Sequence, residues 1–236
     1  MRPFDLIAFD ADDTLWHTEN HYVRVQAHFR QLLAPYHTAE LVDERLFQAE
    51  MRNLAYFGYG VKGFVLSLIE TAIDLSDGRI SGAEVQALID LAKEMVSAEV
   101  ELIEGVKPAL AAVAERYPLM LITKGDLFEQ EAKIERSGLR PYFRSVEIVG
   151  DKTRASYTAL LARHDLAPAG FLMVGNSLRS DVLPVVALGG RAVYIPYPLT
   201  WAHEHVDLLD EERGSFVELA AIGDLPGWLA QAQPPG

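Results

Sequence analysis

The chain has 236 residues, 50% of them hydrophobic, which suffices for one large domain or for a core with a smaller insertion around a sizeable apolar interior. Its formal net charge of -13 argues against nucleic-acid backbones and anionic membrane surfaces as partners, because those are held mainly by clustered Lys and Arg. It contains no Cys, which removes disulfides, thiolate catalysis and Cys-based zinc sites.

The N-terminal stretch MRPFDLIAFDADD reaches acidic residues after a very short apolar run, so neither a secretory signal nor a membrane span is expected there. The expectation is a soluble, cytoplasmic protein. The apolar residues 4–9 predict a first buried strand. Residues 17–99 then carry several helical patterns in succession (YVRVQAHFRQLL, AELVDERLFQAEMRNLAYF, GFVLSLIETAI, GAEVQALIDLAKEMVSAEV) and no convincing strand. They read as an all-helical insertion of 17–99 within a core formed by residues 1–16 and 100–236. Further strands are predicted at 119–123, 145–149, 171–174 and 192–196, separated by KPALAAVAERY, LFEQEAKIERSG and TRASYTALLARH, each with apolar residues at helical spacing. Strands alternating with helices predict an α/β parallel sheet with crossover helices. The tail GWLAQAQPPG is expected to fray.

The polar clusters fall at strand ends. Asp10, Asp12 and Asp13 follow the first strand, Thr123 and Lys124 end the second, and GNSLRSD, Gly175 to Asp181, follows the fourth. Open α/β sheets bind ligands outside the carboxyl ends of their strands, so these clusters point into one site.

Together, DADDT as DxDxT, the apolar run ending in Thr123, the later Lys152 and GNSLRSD resemble the four ordered motifs of the haloacid dehalogenase superfamily. The resemblance covers residues 4–16 and about 105–196, and the helical insertion is similar to that family's small cap domain. It implies a Rossmann-like core and, for members with DxD, Mg²⁺-dependent hydrolysis of phosphate esters through a phosphoaspartate. The dehalogenating branch lacks an acid at the second Asp position, so Asp12 favours phosphate over halide.

The chemistry accounts for these residue types. A carboxylate can attack phosphorus and split one hard displacement into two easier ones, which makes Asp10 the expected nucleophile. Asp12 would serve as general acid toward the leaving alkoxide and then as base for water. Asp10, Asp181 and the backbone carbonyl of Asp12 would hold Mg²⁺, a hard cation that takes oxygen ligands and would let the carboxylates crowd. Asn176 departs from the pattern, in which that position is usually an acid; its carbonyl oxygen can face the metal, but the site carries one negative charge fewer. Thr123 would hydrogen-bond a phosphoryl oxygen, and Lys152, with Arg154 as an alternative cation, would stabilise its equatorial charge.

Other residues carry weaker signals. Asp13 is expected to cap a turn or face solvent, and Thr14 to support the turn. Lys124 is placed between phosphate contact and solvent. YFGYGVKGF, residues 56–64, reads as an interhelical turn whose Lys62 is a candidate substrate contact, and HEH at 203–205 reads as a polar loop. The expected partner is a small phosphorylated metabolite, with a homodimer left open. A phosphomutase on the same scaffold, or a catalytically weak ligand- or protein-binding member, are the alternatives; neither the metabolite nor the oligomeric state is legible here.

Overall fold

The computed structural model describes residues 3–206, 208 and 214–232. In chain order its elements are β1 (Leu6–Phe9), α1 (Glu19–Leu33), α2 (Ala39–Phe57), α3 (Val61–Leu75), α4 (Gly82–Ser97), α5 (Val106–Ala114), β2 (Leu119–Lys124), α6 (Leu127–Ser137), β3 (Ser145–Val149), α7 (Arg154–Arg163), β4 (Phe171–Gly175), α8 (Leu183–Val186), β5 (Arg191–Tyr194), β6 (Val217–Glu218) and α9 (Leu225–Gln231). No helix among the described residues is long and apolar enough to cross a membrane.

The six strands form one parallel sheet in the order β3-β2-β1-β4-β5-β6. The chain winds outward from β1 through β2 to β3, then returns to the other side of β1 to lay down β4, β5 and β6. The reversal falls between β1 and β4, and the crevice beyond their carboxyl ends is where a doubly wound sheet receives a ligand. The backbone N–H of Asp10 donates to the Val174 carbonyl at 2.9 Å, which carries the β1–β4 ladder up to the rim of that crevice.

Both sheet faces are covered, and this explains why the strands read as continuous apolar runs. Along β1, Ile7 and Phe9 point into one core with Leu119, Leu121, Leu172, Val174 and the helices α5 and α9. Leu6 and Ala8 point to the opposite face, against Met120, Met173 and the α7 residues Tyr157, Leu160 and Leu161. The two-residue period of a strand forces this division.

The structure differs from the sequence expectation in three places. A sixth strand, β6, is only two residues long and pairs with β5, too short to leave an alternation signal. Leu225, just before the tail, and Leu229 within it are buried and hold α9 as a helix to Gln231, in a segment expected to fray; its last four residues lie outside those described. The chain divides into two compact units, Met1–Glu19 with Val100–Lys124 and Glu131–Gly236, and Asn20–Glu99 with Gly125–Gln130. Residues 125–130, read as core, thus group with the helical unit.

That helical unit has its own core, in which Val25, Phe29 and Leu33 of α1, Leu46 of α2, Phe64, Leu68 and Ala72 of α3 and Leu88 of α4 are buried together. Helix α3 begins after Gly60 at φ +118°, and no cap side chain comes from Gly60 itself. The carboxylate of buried Glu129 takes the role instead, accepting from the Val61 N–H at 2.9 Å. A Cβ at Gly60 would lie 2.9 Å from Glu129 Oε2, so glycine is required by both the backbone and the space. Replacing Glu129 by Ala should lower the stability of the helical unit by about 1 kcal/mol, the usual cost of a lost N-terminal cap, whereas Gln should cost less because it keeps an acceptor. Urea unfolding followed by helical circular dichroism measures both.

Candidate active site

The crevice between β1 and β4 is built from three turns. The first, after β1, folds back tightly: Leu15 N–H donates to the Ala11 carbonyl at 2.8 Å and Asp13 N–H to the Trp16 carbonyl at 2.7 Å. Asp13 takes φ +60°, a left-handed conformation that Asp tolerates better than most residues. The outgoing and returning chains pair as they pass, with His17 N–H on the Glu101 carbonyl at 2.9 Å and Ile103 N–H on the Leu15 carbonyl at 3.0 Å.

Three carboxylates lie on this turn, and each has a separate set of donors. Asp10 accepts from Lys152 Nζ at 2.5 Å and from Thr14 Oγ1 at 2.8 Å. Asp12 accepts from Trp16 Nε1 at 2.7 Å, Thr18 Oγ1 at 2.8 Å and Lys133 Nζ at 2.8 Å. Asp13 accepts from the Thr18 N–H at 2.8 Å and the Glu19 N–H at 3.1 Å, and so caps the start of α1. Burial pushes the Asp13 carboxyl up to about 7; the two amides oppose this, while the charges of Asp12 and Asp10 add to it. The protein's own donors thus meet each of the three acids, although Asp10 and Asp12 still repel the Asp13 charge.

The second turn follows β4. Asp181 lies in a π-helical turn, Leu178–Val182, and such turns collect at functional sites because they re-aim a side chain within a helix. Its Oδ2 accepts the Ser177 N–H at 3.0 Å, and its Oδ1 accepts Lys152 Nζ at 2.7 Å. The carboxylate rests directly on Gly175: a Cβ there would lie 2.3 Å from Oδ2 and 2.6 Å from the Asp181 Cβ. The first residue of GNSLRSD is therefore glycine for space. The Thr14 hydroxyl shares its one proton between Asp10 and, more weakly at 3.2 Å, Asn176 Oδ1, so it joins the turns after β1 and β4.

Lys152, between β3 and α7, joins these groups. It is 3% exposed, and its ammonium lies between the carboxylates of Asp10 and Asp181. Burial alone would lower its pKa, but the two carboxylates outweigh burial and raise it, so the cation is secured. Asp181 moves up through burial, with the charge of Asp10 adding to it and Lys152 opposing it. Arg154, the alternative cation, is exposed at the first position of α7.

Of the residues singled out from sequence, Asp10, Lys152, Asn176 and Asp181 are joined in one hydrogen-bonded cluster, and Thr123 is buried near the end of β2. Lys124 ends β2 and is paired with Glu204 and with Ser180 Oγ at 2.9 Å. Lys62 belongs to the helical unit, where it forms an ion pair with Asp126 at 2.9 Å. Lys133, Trp16 and Glu204 were not foreseen. Lys133 stands on the amphipathic α6 with nothing in its sequence neighbourhood to distinguish it, and Glu204 lay within a segment read as a polar loop.

The oxygen groups available to a cation are the carboxylates of Asp10 and Asp181, the Asn176 carbonyl and the main-chain carbonyls of the β1 turn. Among the described residues no three His, Asp or Glu side chains gather as a protein-only metal cage. Two carboxylates with neutral oxygens is a donor set suited to a hard cation that keeps part of its water shell.

The doubly wound parallel sheet, with an acid–lysine cluster at its switch point, defines a Rossmann-like α/β protein whose polar groups converge where such folds bind ligands. The family model for haloacid dehalogenase-like hydrolases matches residues 4–189, and the chain belongs to that family. A haloacid dehalogenase-like family hydrolase from Xanthomonas campestris is 39% identical, with a TM-score of 0.86 over 98% of this chain and 92% of that one. A 2-haloacid dehalogenase from Pseudomonas syringae is 24% identical (TM-score 0.61, 97% and 99% covered), and a predicted phosphoglycolate phosphatase from Haemophilus somnus is 17% identical (TM-score 0.63, 97% and 99% covered). These two share the fold and leave the choice between halide and phosphate chemistry to the site. No curated protein gives a significant match.

Replacing Gly175 by Ala should push Asp181 off its seat and cost about 1–3 kcal/mol of stability, the range for overpacking a filled interior. Denaturant unfolding of the variant checks this; a neutral result would show that Asp181 does not rest where the structure places it.

Proposed function

We propose that the protein is a Mg²⁺-dependent phosphatase acting on a small phosphorylated metabolite through an aspartyl-phosphate on Asp10. The observation that carries this reading is a second acid, Asp12, on the same turn as the expected nucleophile. A halide leaves as a stable anion and needs no proton. An alkoxide expelled from a phosphate ester does, and the later attack of water needs a base.

In the first step an Asp10 carboxylate oxygen forms a bond to phosphorus as the ester oxygen departs with the bonding electrons. Lys152 supports both ends of the event: its ammonium holds Asp10 in place and lies where charge on the phosphoryl oxygens spreads. Thr123, at the end of β2, supplies a hydroxyl for one of those oxygens. In the second step water attacks the phosphorus of the acyl phosphate, the bond from phosphorus to the Asp10 oxygen breaks to restore the carboxylate and release inorganic phosphate, and Asp12 takes the water's proton. Lys133, Trp16 and Thr18 hold Asp12 as the carboxylate, the form that a base needs, and one of these donors must yield a lone pair for the proton. Donation to the leaving group requires Asp12 to be protonated when the ester arrives.

The donor set fits Mg²⁺, with Asp10, Asp181, Asn176 and the Asp12 main-chain carbonyl as the groups that would hold it. Bound there, the ion would neutralise phosphoryl charge as it develops. Asn176 contributes no charge of its own to that set.

The reading is tested by offering the protein p-nitrophenyl phosphate with and without Mg²⁺, and 2-chloropropionate in parallel. Mg²⁺-dependent phosphate release supports it; chloride release without phosphate release overturns it. Asp10→Asn should reduce phosphate release by about 10³-fold or more in a folded protein, since an amide is not a competent acceptor for the phosphoryl group. Circular dichroism alongside the assay separates lost chemistry from lost fold.

Asp12→Asn should behave differently. Its first-turnover burst of alcohol from alkyl phosphates should fall by about 10²–10⁴-fold, while the burst of phenol from aryl phosphates with acidic leaving groups should fall much less. Rapid-quench measurement of the two bursts is decisive, and equal losses would confine Asp12 to holding the turn.

A further inference from the structure

The 3₁₀ turn Ala202–Glu204, beyond β5, packs against the π-helical turn that carries Asp181. Arg179 Nη1 donates to the His203 carbonyl at 3.0 Å. Glu204 points inward, with its side chain 11% exposed. Its carboxylate accepts from Lys124 Nζ, from Ser177 Oγ and, at 2.7 Å, from Ser180 Oγ. Lys124 Nζ also donates to Ser180 Oγ at 2.9 Å, and the Ser180 N–H donates to Ser177 Oγ at 3.0 Å. Burial by itself would raise the Glu204 carboxyl, but the Lys124 charge and the three donors outweigh burial and hold it at about 2.

The topology gives this cluster its meaning. Lys124 ends β2 and the two serines follow β4, while β1, with Asp10 at its end, lies between those strands in the sheet. The contacts among Lys124, Ser180 and Glu204 therefore join the strand ends on either side of Asp10. Ser177 adjoins Asn176, and Ser180 adjoins Asp181. Fixing the two serines fixes the residues that present both oxygen groups. From the opposite side, Tyr157 Oη donates to the Ser180 carbonyl at 3.1 Å, so the turn is held from α7 as well.

We propose that Glu204 is a positioning residue of the active site: its carboxylate clamps Lys124, Ser177 and Ser180 into one strap that holds Asn176 and Asp181 in register with Asp10. Glu204 touches none of the reacting groups and acts through the turn. The same pairing commits the Lys124 ammonium to Glu204, which leaves Lys152 as the cation joined to Asp10 and Asp181. The proposal rests on the phosphatase reading only in treating Asn176 and Asp181 as working oxygens.

The test uses the full chain carrying Glu204→Gln or Glu204→Ala, and its first readout needs neither substrate nor metal. Hydrogen–deuterium exchange of the peptide covering residues 177–182 should speed up about tenfold in Glu204→Ala, and by less in Glu204→Gln, which keeps an acceptor for the hydroxyls, with β1 and β4 amides unchanged. Mg²⁺ affinity, measured by titration calorimetry, should weaken in the same order. With p-nitrophenyl phosphate, kcat should fall about tenfold while KM stays within about twofold, because the turn orients the chemistry and does not bind the alcohol. Exchange in 177–182 that stays at the wild-type rate, or that rises equally across the whole sheet, overturns the proposal. Should Glu204→Ala fail to fold, Glu204→Gln carries the same comparison. If the wild-type protein released no phosphate, the phosphatase reading would fall while the exchange result still decided the role of Glu204.

Discussion

A lysine ammonium buried between two aspartates is the interaction on which the rest of this structure depends. Lys152 reaches from the segment after β3 into the crevice between β1 and β4 and meets Asp10 and Asp181 there. Removing charges from water is costly, and a buried pair left without its partner typically costs about 3–5 kcal/mol. The surrounding architecture reduces that cost by hydrogen-bonding the other lone pairs: Thr14 serves Asp10, the Ser177 amide serves Asp181, and Gly175 yields the space in which Asp181 lies. The arrangement fixes a cation and two carboxylates at the mouth of the crevice before any ligand arrives, so little reorientation of these groups remains.

The acid-rich turn after β1 shows how three carboxylates within four residues are tolerated. They do not share one counter-ion. Asp10 is turned into the core against Lys152, Asp12 is held by Lys133 with Trp16 and Thr18, and Asp13 is spent on the amides that begin α1. Neighbouring side chains thus acquire three separate settings: a buried ion pair, a half-buried ion pair and a helix cap. The left-handed backbone at Asp13 is what turns its carboxylate back onto Thr18 and Glu19. Because the chain leaves the sheet at this turn and returns beside it at residues 101–103, the turn also anchors both connections of the helical insertion.

Most of the fold could be read from one dimension because its signals are local. Apolar runs of strand length, helical spacing between them and polar residues at the strand ends are written within a few positions of one another, and the parallel sheet follows from their alternation. The positions of Asp10 and Thr123 were legible for the same reason, each standing at the end of a strand that the pattern marks, and that of Asp181 because it closes the polar segment that follows another. Glycine at 175 belongs to that motif, yet its reason, the carboxylate lying against its Cα, appears only in three dimensions.

Folding itself settled the partnerships. Lys152 and Arg154 are two residues apart and equally cationic, and burial beside Asp10 and Asp181 distinguishes them. Lys124 and Lys62 were both candidates for phosphate; packing gave the first to Glu204 and the second to Asp126, each a carboxylate more than 60 residues away. Glu204, Lys133 and the two-residue β6 carried no periodicity or motif that could mark them. The amino-acid order specifies which strands are buried and which acids stand at their ends, since these depend on neighbours along the chain. Which cation meets which carboxylate depends on distances between turns remote in sequence, and those exist only once the sheet has assembled.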